Sequence, residues 1–321
     1  MGKNILSSLL LSALLLTQSG AATAEQTNEL TFITLGTAGG PEADGQRAQP
    51  ANAVVFHDQL YLIDVGDGAA AQLIKAGHRL PDLNGIFISH NHFDHTGGLM
   101  AVLGLRMQLN AHSPLTIYGP EGTRELVTGL LKAMSGPMRA AYGMPNQEWK
   151  ALVDVVELAN KQLVELNGLT VTVATNSHFA IPDASNQPEK AESLAFRFDA
   201  GGKSVVYTGD TGPSDAVVAL ASGADILVSE MMDIPIVLNY ILKKEPKIPK
   251  PQLDGIEWHF RAHHLLPTQV GDLAEKAGVG KVVVTHMVPS IKNPEMAEVY
   301  QQKMSEKFGG EIVFANDLDV F

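Results

Sequence analysis

The chain has 321 residues, with 23 Lys plus Arg against 35 Asp plus Glu, a formal net charge of −12, and a hydrophobic content of 45%. This is a globular composition, and its acidity argues against a general nucleic-acid binder, which needs a basic face to neutralise phosphates. The lack of cysteine excludes disulfide scaffolds, thiolate metal sites and cysteine nucleophiles together, and 6% aromatic residues leave little for a base-stacking platform.

The N-terminus carries the three-part pattern of a secretory signal peptide. Lys3 precedes an apolar run from Ile5 to Leu16, and Ala22-Thr23-Ala24 supplies a small-residue cleavage site. The run is shorter than the roughly 20 residues that span a bilayer. The expectation is a signal peptide over 1–24 and a single folded body over 25–321, periplasmic or secreted, with no membrane association once the signal is removed.

Along that body, Leu30 to Leu35 reads as a strand entering a Gly-rich loop, Gly36 to Gly45. Ala53 to Phe56 and Leu60 to Ile63 form a hairpin pattern around His57-Asp58-Gln59, and Ala69 to Ala76 reads as a helix. Gly85 to Ser89 is a short buried strand that stops where a histidine cluster begins. Helical patterns cover Gly97 to Leu109 and Arg124 to Met134. Strands return at Leu169 to Ala174, Ser193 to Phe198, Ser204 to Tyr207, Ile226 to Ser229 and Val282 to Thr285. Helices fall at Thr268 to Ala277 and Pro294 to Phe308. Hairpin strands followed by strands mixed with helices imply sheets covered by helices. Two stretches, 134–150 and 231–261, break that rhythm. They read as insertions overhanging a pocket, the second carrying Lys243, Lys244, Lys247 and Lys250.

The chemistry concentrates in Ser89-His90-Asn91-His92-Phe93-Asp94-His95. Three histidines and an aspartate within six residues, directly after a strand, are ligand types suited to zinc and similar divalent ions. Alternation puts His90 and His92 on one side of an extended loop, and Asp94 and His95 turn toward a second position. Further candidates each follow a predicted strand: His178, Asp210 and His286. Strand ends are rigid platforms on which such ligands can converge.

The ordered set H-x-H-x-D-H, then a lone His, a lone Asp and a lone His, resembles the metallo-β-lactamase superfamily over nearly all of the chain from Leu30 onward. The resemblance implies an α/β fold, a four-layer αββα sandwich. It assigns His90, His92 and His178 to one metal and Asp94, His95 and His286 to another, with Asp210 bridging both. Two divalent ions are implied, zinc by default, with manganese or iron accepting the same donors. Such paired ions sit about 3.5–4 Å apart and activate a water for attack on an electrophilic centre; Asp94 is then also a candidate to orient the nucleophile.

A bridging carboxylate resembles the phosphodiesterase, ribonuclease Z, glyoxalase II and lactonase branches of that superfamily. A histidine 22 residues before the last ligand resembles the extra histidine of ribonuclease Z-like enzymes, which helps protonate the leaving oxygen. His264 fits that spacing better than its neighbour His263, although the pair leaves the choice open. Glu230, after a strand, is a candidate to orient His264. Gly36-Thr37-Ala38-Gly39-Gly40-Pro41 and Arg47 resemble the opening loop of ribonuclease Z and of a secreted arylsulfatase group on the same fold. Asp64, in Leu62-Ile63-Asp64-Val65-Gly66-Asp67, matches a family motif whose first aspartate orients metal-site histidines. His57, His78, His112 and His259 lack ligand-like context and read as surface or packing residues.

Ribonuclease Z itself works on cytoplasmic tRNA precursors and grips them with a protruding arm. An acidic, exported chain without a recognisable arm points away from a nucleic-acid polymer. The expected substrate is a small anionic ester, an aryl sulfate or a phosphodiester. The lysines of 243–250 read first as a solvated face, with phosphate contacts or steering of a small anion toward the metals as the alternatives. Apolar residues of the insertions, Met134, Met138, Met144 and Tyr240, would receive an organic leaving group. A lactone or thioester hydrolase on the same metals is the alternative, and a non-catalytic zinc-binding protein a third reading. A homodimer is compatible with the resemblance, but no self-complementary patch is legible.

Overall fold

Two β-sheets stack face to face and helices cover the outer side of each in the computed structural model of the chain, which describes residues 29–140, 149–180 and 191–321. The proposed signal peptide lies outside the described residues, as does 141–148 of the first predicted insertion, Met144 included. The first sheet holds, in spatial order, β1 (Thr31–Gly36), β2 (Ala51–Phe56), β3 (Gln59–Val65), β4 (Leu83–Phe87), β5 (Leu115–Gly119) and β6 (Val153–Glu157). With it go α1 (Ala69–Lys75), α2 (Phe93–Thr96), α3 (Leu99–Gln108), α4 (Thr123–Ala133) and α5 (Ser135–Arg139). The second sheet comprises β7 (Leu163–Leu166), β8 (Leu169–Thr175), β9 (Leu194–Ala200), β10 (Lys203–Tyr207), β11 (Ile226–Met232), β12 (Lys281–Val288) and β13 (Glu311–Phe314), in the order β13 to β7. Its helices are α6 (Asp215–Leu220), α7 (Ile234–Lys244), α8 (Lys250–His263), α9 (Pro267–Ala277) and α10 (Pro294–Ser305).

Each sheet begins as an antiparallel meander and continues with parallel strands from β3 to β6 and from β10 to β13. Parallel neighbours need crossovers, and α1, α3, α4, α6, α9 and α10 lie in them. The layering follows from period-two side-chain alternation. On β3, Tyr61 and Ile63 enter the core between the sheets with Phe196, Phe198 and Tyr207, while Leu60 and Leu62 face Leu73, Leu99 and Leu103 of the outer helices. On β12, Val283 points inward, and Val282 and Val284 meet Val270 and Ala274 of α9. Each fully buried side chain of this kind contributes about 1.5–3 kcal/mol. The αββα sandwich anticipated from the sequence is the fold observed.

Two irregularities aim side chains at the site. The β2–β3 pairing skips one residue at Asp64, and the β11–β12 pairing skips one where Thr285 and His286 face Glu230. Asp64 (φ 56°) and His286 (φ 41°) both sit in the left-handed region that non-glycine residues avoid. Bulges with strained backbone beside a cluster of titratable groups re-aim side chains that regular pairing would point elsewhere.

The stretch 231–261 differs from the sequence expectation of an irregular insertion. Met231 and Met232 complete the buried end of β11, and the rest is a helical hairpin, α7 and α8, with little burial of its own. Three of its four prolines stand where helices begin, and Pro246 lies in the turn between them. Pro235 and Pro251 lie in first turns, where a missing N–H costs nothing, and Pro249 precedes α8.

Candidate metal centre

After β4 the chain bends at Ser89, and His92, extended (φ −62°, ψ 151°), opens the single helical turn α2. The change of conformation aims the two halves of the motif differently. His90 and His92 meet each other, with Nε2 and Nδ1 3.0 Å apart, and His178 Nε2 comes within 3.3 Å of the same His92 nitrogen. Asp94 Oδ2 lies 3.5 Å from His95 Nε2 and 3.4 Å from His286 Nε2. Asp210 stands between the two groups. Its Oδ2 is 3.8 Å from His90 Nε2 and 4.0 Å from His178 Nε2, and its Oδ1 is 3.4 Å from His95 Nε2 and 3.2 Å from His286 Nε2. All seven residues proposed from the sequence as ligands therefore converge in one place, in two trios sharing a carboxylate.

The polar atoms facing inward fit cations. His95 Nε2, His286 Nε2 and Asp210 Oδ1 are buried without a hydrogen-bond partner, a costly state that a metal would relieve. The outward ring nitrogens of three histidines are held, while His286 Nδ1 has no hydrogen-bond partner among the described residues. His95 Nδ1 bonds Asp64 Oδ2 at 2.8 Å, His178 Nδ1 bonds the His263 carbonyl at 3.1 Å, and His90 Nδ1 meets Ser89 Oγ at 3.0 Å. A carboxylate or carbonyl can only accept, so His95 and His178 each carry a proton outward and turn Nε2 to the site. Asp64 is the hub: it also accepts from Ser89 N (2.7 Å), Ser89 Oγ (2.8 Å) and Tyr207 Oη (2.8 Å).

Electrostatics divide the histidines. Burial pulls His90 well below the ordinary range and His178 down to about 3, so both are neutral and ready to ligate. Burial acts the same way on His95 and His286, but Asp210, aided by Asp64 at His95 and Asp94 at His286, overrides it and raises both. Burial would raise Asp94, yet the neighbouring rings of His286 and His95 bring it down. Without a cation, then, the carboxylates hold protons on the second trio, and a divalent ion would replace them.

His264 settles beside this cluster and His263 does not. His264 Nδ1 lies 3.1 and 3.0 Å from the two oxygens of Glu230, whose Oε1 also accepts from the Thr211 backbone at 2.7 Å. Both residues are buried. Burial disfavours the imidazolium, but the Glu230 carboxylate more than compensates and lifts His264 to about 9. The His264 ring is 5.0 Å from that of His178 and 6.4 Å from that of His286. His263 instead turns toward His259 and the Ala180 carbonyl.

The Gly-rich loop closes the cluster from another side. The Gly40 N–H donates to Asp94 Oδ2 at 3.1 Å, and a Cβ on Gly40 would collide with that carboxylate. Arg47 braces the loop on Thr37 Oγ1, the Ala315 carbonyl (2.8 Å) and Asn316 Oδ1 (2.9 Å). Asp317 accepts from the Thr37 and Ala48 backbones at 3.0 and 2.8 Å. Sequence reasoning missed Ser89, Tyr207 and Asp317; only folding brings Tyr207 to Asp64 and Asp317 to the loop. Phe179 stands edge-on to His92 with ring centres 5.1 Å apart, and Phe93 is 88% exposed. Of the residues expected to receive a leaving group, Met134 is buried, Met138 half-buried, and Tyr240 bonds Glu42 of the Gly-rich loop at 3.2 Å. The four lysines are exposed around the turn between α7 and α8.

Residues 60–287 match the family described as beta-lactamase superfamily domain. Ribonuclease Z of Mycobacterium bovis (strain BCG / Pasteur 1173P2) is 31% identical over 292 residues, covering 89% of this chain and 96% of that protein. Among solved structures, the metallo-β-lactamase fold protein YhfI from Bacillus subtilis superposes with a TM-score of 0.66 at 19% identity, over 91% of this chain and 98% of its own. A diphosphatase from the PhnP family superposes at 0.60 and 18% identity, over 91% and 96%.

Proposed function

This chain belongs to the metallo-β-lactamase superfamily, in its ribonuclease Z branch, and we propose that it is an exported hydrolase of small phosphodiesters working with two divalent metal ions, most simply zinc. The observation that carries the reading is the pair of trios bridged by Asp210 with the His264–Glu230 pair alongside. When bound, such ions polarise phosphoryl oxygens and lower the pKa of water.

The chain's own residues supply the rest. Asp210 faces both trios and would hold an ion at each. Asp94, fixed by the Gly40 N–H, orients the attacking water. Glu230 keeps His264 protonated near neutral pH, and His264 gives that proton to the departing oxygen, which becomes an alcohol rather than an alkoxide. The requirement for a proton donor favours esters with poor leaving groups. It also sets the lactone or thioester reading behind, and a storage role further behind, since neither a bridging carboxylate nor a proton donor helps a store.

The names of the similar proteins, a ribonuclease and a diphosphatase, support phosphoryl rather than sulfuryl transfer. The aryl sulfate becomes the competing ester. Export rests on the N-terminal pattern of Lys3, the apolar run and Ala22-Thr23-Ala24. A second reading, cleavage of an RNA, is favoured by the 31% identity to ribonuclease Z across nearly the whole chain; the net charge of −12 weighs against it.

The test uses protein loaded with zinc or manganese and compares bis-nitrophenyl phosphate, nitrophenyl sulfate and a precursor tRNA under one set of conditions. The expected order puts the phosphodiester first, with turnover abolished in Asp210→Ala. Faster sulfate cleavage would move the protein to the arylsulfatases. Cleavage of the RNA at far lower substrate concentration would install the second reading.

A further inference from the structure

Sequence reasoning assigned His259 no role and left His263 only as the alternative to His264; the structure places both on α8, with His263 against the segment that carries His178. Ser177 to Ala180 is a tight turn, closed by the Ala180 N–H on the Ser177 carbonyl at 3.0 Å, with His178 and Phe179 at its corners. The last turn of α8 grips this turn at two points. The His263 carbonyl accepts from His178 Nδ1 at 3.1 Å, and His263 Nε2 reaches the Ala180 carbonyl at 2.9 Å. A carbonyl only accepts, so His263 carries its proton on Nε2. His263 is 4% exposed. His259 Nδ1, one helical turn earlier, lies 2.8 Å from His263 Nδ1, so one ring donates to the other. Trp258 packs edge-on to the same ring, with centres 5.5 Å apart. Every polar atom of the His263 ring is thereby committed to one orientation.

We propose that His263 is a positioning residue for one of the two metals: its side chain locks the Ser177–Ala180 turn against α8, so that the His263 carbonyl can orient His178 toward His90 and His92. Among the described residues no hydrogen bond joins the second trio, Asp94, His95 and His286, to this clasp; its holders are Asp64 and Gly40. The asymmetry gives the inference its content. Loss of the His263 side chain disturbs one metal position and leaves the other. His259 supports His263 from outside, and its removal has the smaller effect, because the His263 Nε2–H still reaches Ala180.

This rests on the two-metal reading of the site, and the measurement separates the two. Metal-free full chain is titrated with zinc against a chromophoric chelator, and bound zinc is counted by native mass spectrometry, for wild type, His263→Ala, His263→Gln and His259→Ala. Wild type is expected to take two ions. In His263→Ala one of them should bind up to about 10–100-fold more weakly, the range seen when the support behind a ligating histidine fails, and the other should be unchanged. His263→Gln, whose amide can still donate to the Ala180 carbonyl, should recover most of the affinity. Urea unfolding of the metal-free proteins reads any general loss of stability. Equal weakening of both ions, or no weakening, would overturn the role given to His263. Failure of wild type to bind two ions would overturn the metal reading beneath it.

Discussion

Asp64→Asn tests the link between a buried carboxylate and the metal site more sharply than removal of any ligand. Asp64 is fully buried at φ 56°, a conformation asparagine tolerates nearly as well as aspartate, so the backbone can stay as it is. Its Oδ1 serves the Ser89 N–H, while Oδ2 accepts from Ser89 Oγ, His95 Nδ1 and Tyr207 Oη, all at 2.8 Å. In the variant an amide NH₂ stands where Oδ2 was and donates instead of accepting. His95 must then accept at Nδ1 and carry its proton on Nε2, the atom that faces Asp94, Asp210 and the metal. The ligand is switched off by its tautomer, with no ligand removed. The expected loss at the position shared by Asp94, His95 and His286 is 10–100-fold in metal affinity, about 1.4–2.7 kcal/mol. Losing one charge-assisted hydrogen bond costs the metal-free fold about 1.5–3 kcal/mol besides. Zinc titration gives the first quantity and urea unfolding of the metal-free protein the second. An Asp64→Asn protein that binds two zinc ions as tightly as wild type would refute the tautomer argument.

Glu230→Gln removes the charge that raises His264 to about 9. Burial then dominates, and the alkaline limb of the kcat/KM profile should move to lower pH while the acid limb stays; an unmoved alkaline limb would detach His264 from proton donation. In the metal-free chain the same raised pKa stabilises the fold fully below the ordinary 6.5 and loses that contribution as pH rises through about 9. The stability gap between wild type and Glu230→Gln, followed by urea unfolding at stepped pH, should close over that window. Metal uptake should release protons from His95 and His286, both raised by their carboxylate neighbours. Calorimetry at neutral pH in buffers of different ionisation enthalpy should register the release, and zinc affinity should fall as pH falls. Buffer-independent heats would mean that neither histidine carries a proton to displace.

The motif His90 to His95 was legible because its chemistry is local: the residue types, their spacing and the strand before them are all read within a dozen positions. The β2–β3 hairpin and the α9 and α10 helices were legible for a related reason, since strong periodicity survives without tertiary context. β7 was not, because Leu163–Leu166 is a short, half-exposed edge strand with little apolar signal. β5, β6 and β13 are four or five residues long and depend on parallel partners far along the chain. The α7–α8 hairpin read only as an insertion, because so little of either helix is buried that no core-facing pattern marks it. Within the site, spacing alone left His263 and His264 undecided; the distance to Glu230 separates them. Asp317, near the C-terminus, touches a loop 280 residues earlier, a relation no single sequence displays.

The most direct measurement is turnover of bis-nitrophenyl phosphate by the metal-free protein as zinc is added in fractions of an equivalent, with bound metal counted in the same samples. Activity should rise with the second ion rather than the first, and Asp210→Ala, which removes the carboxylate facing both trios, should neither hold two ions nor turn over. Full activity with one ion bound, or an Asp210→Ala protein that still works with two, would contradict the bridged two-metal centre on which the proposed chemistry depends.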